Sequence, residues 1–367
     1  MTFWMRYLSL LALLSGCGGV QSPVIPITGM PSCETLPDAP VDAEVEPFGE
    51  VGDVLLAVTR THAWLEHGAT VEVRGLEHGL PVERAIPLAC PCSGKAAEDG
   101  SVILATQGEL LRMDASGAVL WRHATASEAH VFDVVDGIAL VNTGTYEAPH
   151  LRTFRISDGA ALWEGAYHYG GNVGEGHILL ILRDDNNGSE SGLVEVQTGA
   201  VLERWRGIAT TTGQGWWFVT VRPTPAEPLD SYFVRASDRT RLTWSFLWLP
   251  IAITDSNMWL TYAHGVASVH VATGRGDRNV CADAEAATAF AVELDGAPAV
   301  LGSDLRMLDG SVWRLVQLGL PMPDEGQRFY GWEPYPMEGG YIVAHRRNAP
   351  TASDLRPRAI WMPRETP

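Results

Sequence analysis

The sequence has few basic residues and almost no lysine. Its 26 lysine and arginine residues are outnumbered by 44 aspartates and glutamates, which gives a formal net charge of −18 at pH 7. Lys95 is the single lysine. Because like charges repel, this balance argues against nucleic acid and anionic lipid surfaces as main partners. The 367 residues are 46% hydrophobic, which is enough to bury a substantial core.

Common catalytic and nucleotide-binding motifs are also missing. The eleven histidines include no His-Glu-x-x-His zinc motif, and no Gly-x-Ser-x-Gly, Walker or dinucleotide-binding motif is present. Beyond the N-terminal segment, no apolar run reaches the roughly 18 residues needed to span a bilayer. No 12-residue amphipathic helical pattern competes with the strand patterns described below.

The N-terminus has the features of a bacterial lipoprotein signal. Arg6 provides a positive start, and Tyr7–Leu14 is a short apolar segment. Leu14-Ser15-Gly16-Cys17 then resembles the lipobox. The resemblance implies a signal peptide over residues 1–16 and acylation (palmitate) of Cys17, giving two or three chains that anchor stably. Gly18, where an aspartate would signal inner-membrane retention, favours an outer-membrane lipoprotein facing the periplasm or the cell surface. An ordinary secretory signal with a chance cysteine is the alternative.

Residues 17–50 are predicted to tether a folded domain to that anchor. The segment after Cys17 is rich in proline, glycine, aspartate and glutamate, a composition typical of an extended and largely unstructured linker. The remaining residues, 51–367, are predicted to form one domain.

Residues 51–367 are predicted to be all-β, because short apolar strands recur about every 40 residues without helices. This period indicates a β-propeller of seven or eight four-stranded blades, with eight preferred. The best-defined strands are interpreted as the second of each repeat: Val54–Thr59, Val102–Thr106, Ile138–Asn142, Ile178–Leu182, Trp216–Val221, Met258–Tyr262, Pro298–Leu301 and Tyr341–His345.

A turn before the outer strand supports the period. Aspartate, serine or threonine is expected to cap the backbone there, with glycine in the left-handed region. The turns are Ala115-Ser116-Gly117, Ser157-Asp158-Gly159, Gln197-Thr198-Gly199, Ser237-Asp238-Arg239, Ala272-Thr273-Gly274 and Leu308-Asp309-Gly310. Tryptophans follow most of them: Trp121, Trp163, Trp205, Trp244 and Trp313.

The spacing of Asp114, Gly117 and Trp121 resembles the repeat of pyrroloquinoline-quinone-type (PQQ-type) propellers. In that family the outer-strand tryptophan docks against the next blade. In outline the chain is also similar to the propeller lipoprotein of the outer-membrane protein assembly machine. The last repeat is one strand short before the chain ends, so we expect the segment around Val41–Phe48 to supply the missing strand and close the ring.

Four cysteines remain after Cys17, an even number in an oxidising compartment. Cys90 and Cys92 are too close in sequence to bridge each other without strain. We therefore expect two disulfides, one from each, reaching Cys33 and Cys281 in either order. A redox-active Cys-Pro-Cys or a metal pair is the alternative.

Two further groups are candidate sites. Asp184, Asn186 and Glu190 are oxygen donors at alternate positions and suit calcium, although a plain polar hairpin loop between two strands is the favoured interpretation. No other cofactor is expected. The second group consists of aromatic residues beside prolines, and it predicts a loop surface for binding: Phe329, Tyr330, Trp332 and Tyr335.

Two functions fit these features. The first is a non-catalytic lipoprotein whose propeller binds protein or another envelope component through its loops or central funnel. The second is a quinone-dependent periplasmic dehydrogenase with calcium-bound cofactor, implied by the PQQ-type resemblance. Cys90-Pro91-Cys92 departs from the adjacent cysteine pair of those enzymes, which favours the first interpretation.

Overall fold

Eight β-sheets form a ring, which confirms the predicted all-β propeller and the preferred number of eight blades. A computed structural model describes residues 23–362 apart from 51, 89–92, 146, 186–187, 214, 221–230, 245–248, 254–255, 263–264, 282–289, 295–296, 302, 321–331 and 346–355. Consecutive blades contact each other through their innermost strands around a central axis. The described residues contain no helix.

Each blade has four strands, named A to D from the axis outward. Four N-terminal strands come first in the chain: β1 (Val24–Pro26), β2 (Glu34–Thr35), β3 (Asp38–Pro40) and β4 (Glu44–Pro47). Blade 1 consists of β5 (Val54–Val58), β6 (His62–His67), β7 (Thr70–Gly75) and β8 (Val82–Pro87). Blade 2 consists of β9 (Ser93–Ala96), β10 (Val102–Ala105), β11 (Gln107–Met113) and β12 (Val119–Glu128). Blade 3 consists of β13 (His130–Val135), β14 (Ile138–Asn142), β15 (Leu151–Arg155) and β16 (Ala161–Gly165). Blade 4 consists of β17 (His168–Gly174), β18 (His177–Asp185), β19 (Gly188–Glu195) and β20 (Val201–Arg206).

The second half of the ring follows the same order. Blade 5 consists of β21 (Ile208–Gly213), β22 (Trp216–Thr220), β23 (Ser231–Arg235) and β24 (Arg241–Trp244). Blade 6 consists of β25 (Leu249–Ile253), β26 (Asn257–Tyr262), β27 (Gly265–His270) and β28 (Arg275–Cys281). Blade 7 consists of β29 (Phe290–Leu294), β30 (Ala297–Leu301), β31 (Leu305–Asp309) and β32 (Val312–Val316). Blade 8 consists of β33 (Trp332–Met337), β34 (Gly340–His345), β35 (Arg358–Trp361) and, as strand D, β4.

The second strands are continuous apolar runs because each sheet is covered on both faces by its neighbours. In blade 2, Val102 and Leu104 pack against blade 1, whereas Ile103 and Ala105 pack against blade 3. All four are fully buried. Side chains alternate across a strand, so a strand between two neighbours needs apolar residues at every position.

One strand assignment from the sequence is wrong. Val54–Val58 is the first strand of blade 1, and the second is His62–His67, with Trp64 and Leu65 fully buried. The turn between them carries no glycine, because the Thr59 side chain caps it by accepting a hydrogen bond from the His62 N–H at 3.0 Å. Because this turn has no glycine, the sequence does not mark the hairpin between β5 and β6. The spacing between the second strands of blades 1 and 2 therefore appeared too long.

The predicted turns before the outer strands are confirmed where they are described. In blade 2 the Asp114 carboxylate accepts hydrogen bonds from the N–H groups of Ser116 and Ala118 at 2.8 and 3.0 Å, and Gly117 has φ of +79°. The hydrogen bond from the Ser116 side chain is the main cause that lowers the pKa of Asp114.

The described part of the N-terminal segment, residues 23–50, belongs to the propeller, which corrects the prediction of an unstructured tether for those residues. Its strands β1, β2 and β3 pair in parallel with the D strands of blades 5, 6 and 7. We call residues 23–50 the strap. Its apolar residues enter four successive blade boundaries: Ile27 between blades 5 and 6, Leu36 between 6 and 7, Val45 between 7 and 8, and Phe48 between 8 and 1.

The other four boundaries use outer-strand side chains of the blades themselves. Ile86, Trp121, Trp163 and Trp205 lie at the boundaries from 1/2 to 4/5. Trp313 is the exception, since it packs with blade 6 rather than blade 8. It follows its turn glycine by three residues rather than an even number, and an odd interval places a side chain on the opposite face of a strand.

The strap also closes the ring. Strand β4 pairs antiparallel with β35, with Val45 opposite Ile360 and Glu44 opposite Trp361. The expectation that the segment around Val41–Phe48 completes the last blade is therefore confirmed. Blade 8 combines one strand from the beginning of the chain with three from its end.

The predicted disulfide pairing is wrong. Cys33 bonds to Cys281, with their Cα atoms 5.4 Å apart. The adjoining strand β2 pairs Thr35 with Cys281, which brings the two cysteines together at the outer edge of blade 6. Cys90 and Cys92 lie outside the described residues, in the part of the sequence between strands β8 and β9.

We expect deletion of residues 36–50 to lower the melting temperature sharply, because it removes two strands and exposes three blade boundaries. A single substitution tests the same point: Phe48→Ala should cost about 3–5 kcal/mol of unfolding free energy, as for other buried phenylalanines. Asp42→Asn is the control, since Asp42 is exposed on the same segment. Unchanged melting curves for the deletion and for Phe48→Ala would contradict this account of closure.

Candidate functional site

Each blade contributes connections to two opposite ends of the ring. Its strands run antiparallel, so the A–B and C–D turns share one end and the B–C and D–A connections share the other. We call the first end the turn face (residues 97–101 and 114–118 in blade 2) and the second the loop face (residues 143–150 in blade 3). Three clefts lined by described residues open on the turn face.

Acidic residues surround the axis on the turn face. Among the described residues, an acid followed by glycine forms the A–B turn in four blades: Asp99-Gly100, Asp136-Gly137, Glu175-Gly176 and Glu338-Gly339. At Asp136 and Glu175 both turn residues have positive φ, as a two-residue type I′ hairpin requires. This recurring dipeptide is the signal in the sequence for these turns, whereas the turns predicted from the sequence are those between strands C and D.

Arg112 connects blades 2 and 3 in one of the clefts. Its guanidinium pairs with the Asp99 carboxylate, donates to the Ser101 hydroxyl at 3.0 Å, and donates to the Ile156 carbonyl of blade 3 at 2.9 Å. Partial burial alone would raise the pKa of Asp99, but hydrogen bonds from Ser101 and Arg112 outweigh it and lower the pKa. The Arg112 guanidinium and the Asp99 carboxylate in this cleft therefore already have hydrogen-bond partners within the protein.

Tryptophan docking is regular between blades 2, 3 and 4. The indole N–H of Trp121 donates to the Ile156 carbonyl at 2.7 Å, and that of Trp163 donates to the Val196 carbonyl at 2.8 Å. Glycine is needed opposite each indole, because a Cβ at Gly159 or Gly199 would lie within 3.0 Å of the ring.

The docking of a tryptophan against a turn glycine is not repeated between blades 4 and 5. Arg239, with φ of +61°, replaces the turn glycine. It lies 5.2 Å from the ring centroid of Trp217 and pairs with Glu203 at 2.6 Å. Trp205 packs directly on Trp217, with ring centroids 5.2 Å apart. A cleft of about 600 Å³ opens on the turn face at this boundary, and Leu202 is one of its lining residues.

The inner strands of blades 3 and 4 are joined by a partly buried hydrogen bond. The Tyr169 hydroxyl donates to the Asp133 carboxylate at 2.5 Å, and Phe132 stacks on the Tyr169 ring at 5.8 Å. Burial, followed by the Asp133 charge, raises the pKa of Tyr169. The phenol thus remains a hydrogen-bond donor, which makes this contact a link between blades.

The predicted calcium residues do not converge. Asp184 lies opposite Ser189 in the β18–β19 hairpin and accepts its hydroxyl hydrogen bond at 2.6 Å. Glu190 is the next residue along, so its side chain lies on the other face, where it pairs with Arg204 at 2.6 Å. Asn186 lies outside the described residues. Within the described part of the chain, no three histidine, cysteine, aspartate or glutamate residues form a metal-binding group.

Of the four aromatic residues predicted to form a binding surface, the structure describes two. Phe329 and Tyr330 lie outside the described residues, in the connection between strands β32 and β33. Trp332 begins strand A of blade 8 rather than lying in a loop. Tyr335, in the same strand, packs against the buried cluster between blades 8 and 1. Cys17 also lies outside the described residues, among which no helix is long and apolar enough to cross a bilayer.

Comparisons with known proteins identify the fold. No protein-family model matches the chain, and no curated protein matches its sequence. BamB from Moraxella catarrhalis is similar in structure, with a TM-score of 0.52 and 11% identity over 87% of this chain and 100% of that chain. The Dos1 propeller gives a TM-score of 0.53 and 8% identity over 87% of this chain and 94% of that chain. Identities this low establish the β-propeller fold alone.

We expect Arg112→Lys to destabilise the protein by about 1–3 kcal/mol, because lysine keeps the charge but cannot make three directed hydrogen bonds at once. Arg122→Lys in the adjacent strand is the control, since Arg122 is exposed and lies 3.8 Å from Glu109. Chemical denaturation of both variants measures the difference. Equal midpoints for the two variants would show that Arg112 does not join the blades.

Proposed function

We propose that this protein is a bacterial lipoprotein, anchored in the outer membrane through Cys17, whose propeller acts as a non-catalytic scaffold that binds a protein of the envelope. The observation that carries the proposal is the combination of a lipobox at Leu14–Cys17 with an eight-bladed propeller whose first described strand starts at Val24. A folded domain directly after such an anchor is held at the membrane surface.

The described polar groups support binding rather than catalysis. Arg112, Arg239 and Tyr169 are each committed to contacts between blades. Charged pairs near the loop face suit recognition of a polar protein surface, where charge complementarity provides specificity. These pairs are Arg152 with Glu164 and Arg204 with Glu190. The structural similarity to BamB supports the propeller on which the proposal rests.

The proposed partner contacts lie at the ends of the ring. Blade faces are covered by neighbouring blades, so the turns and connections are the surfaces that remain for another protein. Phe329 and Tyr330 stay proposed contacts, because aromatic side chains in loops are frequent binding anchors. PQQ-type ancestry of the repeats also remains a proposal, supported by the docking of Trp121 and Trp163 against the next blade.

The experiment compares the native protein with a form in which residues 1–17 are replaced by an ordinary cleavable secretory signal. We expect the native form to carry palmitate on Cys17 and to fractionate with the outer membrane, and the secreted form to remain in the periplasm. Crosslinking from intact cells should recover an envelope protein with the native form more efficiently than with the secreted one.

Two results would count against the proposal. A native protein without acyl chains would remove the lipoprotein assignment. Recovery of no protein by either form would remove the scaffold assignment and direct attention to small ligands on the turn face.

A further inference from the structure

The chain enters the propeller at the turn face. Pro23, the first described residue, accepts a hydrogen bond through its carbonyl from the Arg241 N–H at 2.8 Å. Val24 then pairs with Arg241, and β1 runs parallel to β24. Since Arg241 is the first residue after the C–D turn of blade 5, everything before Pro23 leaves from the turn-face end of that strand.

Because the strap is paired with the blades, it shortens the segment that connects the proposed anchor at Cys17 to the propeller. If residues 17–50 were a free tether, their 33 steps would allow a reach of about 110 Å. Residues 23–50 are instead paired with blades 5 to 8, which leaves six steps between Cys17 and Pro23. Six steps reach at most about 20 Å, whatever their conformation.

A second observation concerns the exposed apolar side chains. Among the described residues, the large hydrophobic side chains that are exposed are Val24, Val82, Val119, Leu120 and Leu202, at 39–60% exposure. Each lies at the first or second position of β1 or of a D strand, directly beside the turn face. They lie at the outer edge of the turn face in blades 1, 2, 4 and 5.

We infer that the turn face is the membrane-proximal face of the propeller and that the loop face is directed away from the membrane, toward the partner. The inference rests on the proposed anchor at Cys17. The short segment holds the blade 5 edge of the turn face near the bilayer, and the exposed apolar residues tolerate the less polar interface region better than charged side chains do.

The acidic A–B turns limit how closely the turn face approaches the bilayer. Asp99, Asp136, Glu175 and Glu338 surround the axis of the same face, and moving carboxylates out of water is costly. The propeller therefore lies on the surface without inserting, and the acyl chains supply the membrane affinity.

The test measures the distance of each face from the bilayer. Four exposed alanines are replaced singly by a residue that carries a donor fluorophore: Ala200 and Ala115 on the turn face, Ala148 and Ala69 on the loop face. The full-length lipidated protein is placed in zwitterionic phosphatidylcholine vesicles that contain a small fraction of acceptor-labelled lipid. We expect energy transfer to be about twofold stronger from the two turn-face positions, because a blade strand separates the faces by about 20 Å.

A variant with a longer linker tests whether the short segment between Cys17 and Pro23 orients the propeller. Inserting 20 glycine and serine residues between Cys17 and Pro23 gives the anchor a flexible spacer of about 25 Å root-mean-square length. We expect the difference between the faces to fall at least by half. A difference that survives the linker unchanged would overturn the short segment as the orienting constraint.

The outcomes separate this inference from the proposed function. Lipidated protein that floats with the vesicles but shows equal transfer from both faces, or stronger transfer from the loop face, would overturn the orientation and leave the anchor intact. Protein that carries no acyl chain and does not float would instead overturn the proposed lipoprotein function.

Discussion

Ring closure is the constraint on which the rest of this structure depends. The ring is complete only when β4 pairs with β35, because blade 8 otherwise has three strands. An open ring would leave the apolar faces of blades 8 and 1 without partners, and these faces include Phe48, Leu65 and Trp361. Blade 8 and its boundary with blade 1 therefore depend on residues from both ends of the described chain.

The strap also explains why the repeats differ around the ring. In blades 1 to 4 each boundary is filled from the outer strand of a blade, by Ile86 or by a tryptophan. From blade 5 onward the strap supplies that apolar residue, and Gly274 packs against the Pro26 carbonyl of the strap instead of an indole. The weaker repeats in the second half are thus a consequence of packing against an added segment rather than a loss of structure.

The functional assignment follows from the same segment. Once residues 23–50 belong to the propeller, the anchor proposed at Cys17 is close to one identified face, and the two ends of the ring are no longer equivalent. The satisfied contacts of Arg112, Arg239 and Tyr169 hold the blades in place. The proposed scaffold function depends on the turns and loops that the ring presents at its two ends.

The sequence by itself determined the all-β class, a propeller of seven or eight blades, the capped outer turns and the strand that closes the ring. These features depend on local patterns: alternation of side chains, turn residues and a period near 40. Tertiary structure alone decided that Cys33 pairs with Cys281, that Asp184 and Glu190 lie on opposite faces of one hairpin, and that residues 23–50 form a strap. Those outcomes depend on which distant segments meet, and a proline-rich acidic segment has the same local pattern whether it is free or paired with a strand edge.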